Sequence, residues 1–313
     1  MTWCLRSRLV LGLALGLTAL VALPLPAAAL ANPVAAHAAP RPTVPAAESG
    51  SAGWVFAVAV ASPPAADAGP ASPGEAATAL PRLFAKALEA SRAGRFAEAL
   101  PLWNQVLEIA PDDAAAWSNR GNVQLALGDA EAAIRDQDHS LELEPDNPDA
   151  HLNRGTAEEA LGRWEQAAAD YGWILERDPD EASALYNLGN VEGSRGDWPA
   201  ARERFEAAAA ARPGFAMARS SAALAAFQLG DLGAAERELR NLIRRYPLFA
   251  DARAGLTALL WQRGAAGEAE SNWAAASGLD PRYRQSDWLL QIRRWPPAPV
   301  AALERFLSLQ RQA

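Results

Sequence analysis

Six prolines recur at an interval of 34 residues: Pro111, Pro145, Pro179, Pro213, Pro247 and Pro281. No residue is inserted or lost between any two of them. A fixed period in the range of about 20–50 residues marks one supersecondary unit copied and stacked along an axis. With each proline at position 32, six units begin at residues 80, 114, 148, 182, 216 and 250. Position 15 is then glycine in every unit: Gly94, Gly128, Gly162, Gly196, Gly230 and Gly264. Position 20 is alanine in every unit: Ala99, Ala133, Ala167, Ala201, Ala235 and Ala269. Position 8 is small in five units (Ala87, Gly121, Gly155, Gly189, Ala223), with Thr257 departing. Position 24 is large in five (Trp103, Tyr171, Phe205, Leu239, Trp273), with Gln137 departing.

The unit reads as two helices. Of 313 residues, 75 are alanine, the strongest helix former. The glycine at position 15 suits the turn between the helices. The proline ends the second one, because it lacks an N–H and disfavours helical geometry in the residue before it. Small residues at positions 8 and 20 let the paired backbones approach closely.

The pattern resembles the tetratricopeptide repeat family over residues 80–281. Ala-Trp-Ser-Asn-Arg-Gly-Asn at 116–122 and Ala-Leu-Tyr-Asn-Leu-Gly-Asn at 184–190 are similar to the first helix of that family's unit. The resemblance implies an all-α, right-handed α-solenoid of six helical hairpins, at 80–113, 114–147, 148–181, 182–215, 216–249 and 250–281. One hairpin cannot bury its apolar face alone, so stacked hairpins share a continuous core.

A solenoid needs a cap at its end, and the segment 282–313 supplies one. Trp288-Leu289-Leu290-Gln291-Ile292 is apolar at helical spacing, and Trp295-Pro296-Pro297-Ala298-Pro299 forces a break. Val300, Leu303, Phe306 and Leu307 form the stripe of a final short helix. Arg293, Arg294, Trp295 and the proline run can alternatively be read as a docking epitope. The segment is similar to the C-terminus of a group of exported or plastid repeat proteins of photosynthetic lineages.

At the other end, Arg6 and Arg8 precede an apolar run at 9–23, followed by Pro24, Pro26 and an Ala-Leu-Ala at 29–31. This reads as an export signal spanning 1–31 and cut after Ala31. The alternative is an uncleaved anchor, since 9–31 is long enough to cross a bilayer. The expected compartment is therefore periplasmic or thylakoid lumenal, or a membrane surface if the anchor stays. Residues 32–79, rich in Ala, Pro, Ser and Gly, read as a disordered linker. Within it the apolar run 53–61 is too short to span a membrane. It reads as a segment that packs on the folded domain, or else as the tail of a second sorting signal.

The net charge is −8, unevenly spread. Units two and three carry five arginines against sixteen acids, while the tail 282–313 carries six arginines against two acids. The plain reading is a solvated acidic face; the functional one is a field that steers a basic segment toward units two and three. An acidic body argues against nucleic acid as a partner. Cys4 is the only cysteine, so no intramolecular disulfide forms. The three histidines, His37, His139 and His151, are scattered. There is no Gly-rich phosphate loop, no His-Glu-x-x-His and no nucleophile elbow, so neither catalytic residues nor a metal or cofactor site is expected.

In the family, positions 2, 5, 9, 12 and 13 of the first helix line the concave groove. Carried over, the resemblance implies a groove of Ser118, Asn122 and Leu125 in unit two, and Leu152, Thr156 and Glu159 in unit three. Unit four gives Tyr186 and Asn190, unit five Ser220, Leu224 and Phe227, and unit six Trp261, expected as an exposed anchor. Asn119, Asn153 and Asn187 recur at position 6. Amides both donate and accept, so this ladder can hold an extended backbone without reading its sequence. Position 5 holds no basic residue in any unit, which argues against a clamp for a C-terminal carboxylate. The function implied is a non-catalytic scaffold that binds a protein or peptide segment in its groove, as an assembly factor. The rival is a membrane-anchored organiser that works through self-association or its tail.

Overall fold

The computed structural model describes residues 32–33, 51–52 and 73–310; the expected export signal at 1–31, most of the expected linker and the run 53–61 lie outside the described residues. Asn32–Pro33 and Ser51–Ala52 form a two-residue antiparallel pair, β1 and β2. All else that is regular among the described residues is helix. The first helices of the units are α1 (Pro73–Arg92), α3 (Ala114–Ala126), α5 (Pro148–Ala160), α7 (Ala182–Ser194), α9 (Ala216–Gln228) and α11 (Ala250–Gln262). The second helices are α2 (Phe96–Ile109), α4 (Ala130–Leu143), α6 (Trp164–Leu175), α8 (Trp198–Ala211), α10 (Leu232–Arg245) and α12 (Ala266–Leu279). From α3 onward each first helix starts 34 residues after the last, as the prolines require. The chain is an α-solenoid of six hairpins. One boundary moves: α1 begins at Pro73 rather than 80. Proline is pre-organised for a first turn, and the alanines that follow extend it.

The same local chemistry ends and starts each helix. All six position-15 glycines have positive φ, between 71° and 95°, a conformation that an L side chain resists. The next residue, Asp129, Asp197 or Asp231 in units two, four and five, caps the second helix by accepting from the N–H three residues on. Asp113, Asn147 and Glu181 cap α3, α5 and α7 in the same way. Each such cap is worth about 1 kcal/mol. Several of the acids in the negative units are therefore structural.

Inside a hairpin, the small residue at position 8 makes room for the large one at position 24. A Cβ on Gly155 would sit 2.7 Å from Tyr171 Cε1, and one on Gly189 2.7 Å from Phe205 Cε1. Gln137, which departs from this pattern, is fully buried and donates to the Ser118 carbonyl at 2.9 Å. Between units, position 4 reaches back to the carbonyl of the preceding proline. Trp117 Nε1 donates to Pro111 O at 2.7 Å, His151 Nε2 faces Pro145 O at 3.2 Å, and Arg253 Nε donates to Pro247 O at 2.8 Å. Position 7 adds a second tie in units two and three. Arg120 chelates Asp136 with two bonds of 2.7 Å, and Arg154 chelates Asp170 at 2.7 and 2.9 Å. Each also reaches position 25 of the unit before, at Asn104 and Asp138.

After α12, a 3₁₀ turn (Pro281–Arg284) and a short helix α13 (Ser286–Gln291) lead to α14 (Pro297–Gln310). Helix α14 packs on α9 and α11, the concave helices of units five and six. Val300, Leu303 and Phe306 are buried, as the sequence stripe required. The cap therefore lies along the inside of the solenoid.

Candidate functional site

The concave face divides into two parts. In units five and six the chain's own tail occupies it. Asp251, at position 2 of unit six, is 1 % exposed and binds that tail. Its Oδ1 accepts from Arg293 Nη2 at 2.5 Å, Tyr283 OH at 2.8 Å and Trp295 Nε1 at 3.0 Å. Its Oδ2 accepts from Ser220 Oγ at 2.6 Å. Burial alone would raise the Asp251 carboxyl, but Arg293 and these donors hold it below the ordinary aspartate value. The Ala298 N–H at the start of α14 donates to Gln228 Oε1 at 2.7 Å.

The tail also reaches back along the groove. Arg294 Nη2 donates to the carbonyl of Glu159 at 3.3 Å, and its guanidinium lies 4.9 Å from the Trp164 ring. Ile292 packs against the cluster of Leu125, Ile134 and Ala157. Arg294 is the only described non-glycine residue with positive φ, at 54°. That conformation costs about 1–2 kcal/mol and persists because Arg293 and Trp295 on either side are both fixed on Asp251.

Glu159 lies under the tail turn, which reaches on to unit two through Ile292. It is 1 % exposed, and Tyr171 OH donates to its Oε2 at 3.1 Å. Burial pushes its carboxyl up to about 7, with Arg294 and Tyr171 opposing the shift. Its Oε1 has no hydrogen-bond partner among the described residues.

The groove residues expected from the sequence fall into matching sets. Ser220, Leu224, Phe227 and Trp261 lie under the tail. Trp261 is not an open anchor: it is half-buried, edge-on to Phe306 at 5.5 Å. The Phe306 stripe was legible in the sequence; that it would land on this groove was not. In units two to four, Ser118, Leu125, Leu152, Thr156, Tyr186 and Asn190 are buried and Asn122 is half-buried. Tyr186 packs between Phe205 and Phe215, a core role more than a surface one. The position-6 asparagines are built into the floor. Asn119 Nδ2 donates to Ala115 O at 2.8 Å, Asn153 Nδ2 to Ser118 Oγ at 3.2 Å, and Asn187 Nδ2 to Thr156 Oγ1 at 3.4 Å. Thus each of the last two reaches into the preceding unit. Asn190 is 3 % exposed, and its Nδ2 has no hydrogen-bond partner among the described residues.

Sequence reasoning missed Asp251. Its one signal was compositional: an acid opening unit six, and an Arg-Arg-Trp tail with six arginines against two acids. Among the described residues, no group of three His, Cys, Asp or Glu side chains is placed to hold a metal. No described helix is long and apolar enough to cross a membrane.

A tetratricopeptide repeat family model matches residues 84–148, 136–172, 152–214, 188–239 and 221–283 in overlapping pieces. The chain belongs to the tetratricopeptide repeat family. Members of this family are scaffolds for protein–protein interaction. Solved structures agree in fold. A chain of the APC/C hetero-tetramer Cut9–Hcn1 aligns over 73 % of this chain and 43 % of its own, at 15 % identity and a TM-score of 0.61. A tetratricopeptide repeat protein from Parabacteroides merdae aligns over 74 % of this chain and 99 % of its own, at 18 % identity and a TM-score of 0.53. A thermophilic repeat protein of Thermus thermophilus aligns over 58 % of this chain and 99 % of its own, at 21 % identity and a TM-score of 0.51. At these identities the likeness is one of fold alone. No curated protein matches the sequence.

Proposed function

We propose that this repeat protein is a non-catalytic scaffold that holds an extended protein segment along the concave faces of units two to four. One observation carries the reading. The groove already holds a piece of polypeptide, the tail turn at Arg293–Trp295, through the buried position-2 carboxylate of Asp251, itself held by Ser220 at position 5 of the unit before. Beside the single carboxylate of Glu159, units two to four present amides, which both donate and accept and so suit a backbone.

The export signal read from the sequence supports a periplasmic or thylakoid lumenal site for this work, as an assembly factor. The supporting observation there is the order of the basic start, the apolar run and the Ala-Leu-Ala at 29–31.

The test is capture of partners by the full chain, compared with a chain carrying Asn153→Leu and Asn190→Leu. These replacements keep the branching at Cγ and remove the amides. The expected result is loss of the captured segment at unchanged helicity. Recovery of the same proteins by both chains contradicts the proposal.

A further inference from the structure

The seam between units four and five holds a cavity of about 400 Å³, between α8 and α10 and over α9. Ligand pockets begin at about 300 Å³. We infer that this cleft receives the side chain of an arginine presented by a partner protein. It uses none of the groove residues named above, so the inference stands apart from the reading of that groove.

The repeat itself shows what the cleft lacks. Position 7 faces the seam to the preceding unit. It is Arg120 in unit two, Arg154 in unit three, Leu188 in unit four and Leu256 in unit six. In unit five it is Ala222, the smallest residue found at that position.

Unit three has the complete arrangement. Arg154 chelates Asp170 at position 23 and reaches Asp138, at position 25 of unit two, at 2.8 Å. His151, at position 4, holds the same Asp170 through Nδ1 at 2.8 Å. Unit five keeps this pattern except for the guanidinium. Glu238 stands at position 23, and Glu206 at position 25 of unit four. Arg219, at position 4, donates to Glu238 Oε1 at 2.5 Å. Both carboxylates line the cleft, and Ala222, Ala223 and Ala226 are buried beneath it.

The partners these acids already have do not close the site. An ionised carboxylate offers about four lone-pair sites on two oxygens. Asp170 takes a position-4 ring and a position-7 guanidinium together, so Glu238 has room for a guanidinium beside Arg219. Arg202 holds Glu206 through Oε1 at 2.8 Å. Arg202 also pairs with Asp231, which Arg237 faces as well. Arg202, Arg219 and Arg237 are thus balanced by Glu206, Glu238 and Asp231, and a guest meets paired charges rather than a basic patch. The apolar stem of an arginine suits the alanine floor, and its planar fork suits two carboxylates. A lysine ammonium has the charge without the fork.

The test is an NMR titration of the full chain with N-acetyl-arginine methylamide, read at the backbone amides of Ala222, Ala226 and Ala234. A saturable shift is expected at all three. The citrulline analogue has the same shape without the charge and should bind at least about tenfold more weakly. Ala222→Leu places in unit five the residue that units four and six carry. It should abolish the response at Ala226 and Ala234 at unchanged helicity.

No shift at these amides, an equal response to the citrulline analogue, or a response that survives Ala222→Leu would overturn the inference. Saturable binding of butyrate at the same amides would also do so, by making the three arginines an anion site. Free arginine bound at least about tenfold more tightly than the blocked form would do the same, since the cleft would then serve a small molecule and not a partner's side chain.

Discussion

Arg293 and Asp251 are 42 residues apart in sequence and form a fully buried ion pair, Nη2 to Oδ1 2.5 Å, that ties the tail to the inside of unit six. Removing one partner of such a pair strands the other charge in a low-dielectric site. Arg293→Ala is expected to cost about 3–5 kcal/mol in urea unfolding. Arg293→Lys should cost less, since it keeps the charge but loses the fork that also reaches Asp251 through Nε.

Glu159 gives the protein a pH dependence of unusual sign. Its folded carboxyl titrates at about 7, above the ordinary 4.5, because it is buried. Between those two values the folded state binds the proton and the unfolded state does not. This group therefore adds stability below about pH 4.5, and that stability is lost as pH rises through 7, to a total on the order of 3 kcal/mol. Glu159→Gln should remove the slope. The check is the urea midpoint of both proteins at about pH 5.5 and about pH 8, where the two should differ most in their change between the two conditions.

The glycines at positions 8 and 15 should rank by what faces them. Gly155→Ala drives a Cβ to 2.7 Å from the rigid Tyr171 ring, whose hydroxyl is fixed on Glu159. A net loss of about 1–2 kcal/mol is expected, after the gain in helix propensity. Gly196→Ala meets nothing within 4 Å but holds φ at +88°, so its cost is backbone strain of about 1 kcal/mol. Thermal melts of the two variants, with Tyr171→Phe in the Gly155→Ala background, should show partial rescue for the first only.

Much of this architecture could be read from the sequence because it is periodic. The prolines and the glycines at position 15 fixed every hairpin, and Val300, Leu303 and Phe306 announced the last helix. Contacts that break the period could not be read. Asp251 meets residues of the tail through a turn whose geometry depends on Arg294 at positive φ, which no pattern at position 2 reveals. For the same reason Trp261 looked open: its cover, Phe306, comes from outside the repeat. Gln137, an exception in the pattern, proved to fill its position by hydrogen bonding to Ser118 rather than by bulk.

The concave face of this solenoid holds the chain's own tail. Hydrogen exchange of backbone amides across residues 286–310 of the full chain tests this directly. Slow exchange at Arg293, Trp295 and the amides around Leu303, matching that of α9 and α11, is the predicted result. Exchange there at the rate of an unstructured peptide, with α9 and α11 still protected, would contradict it.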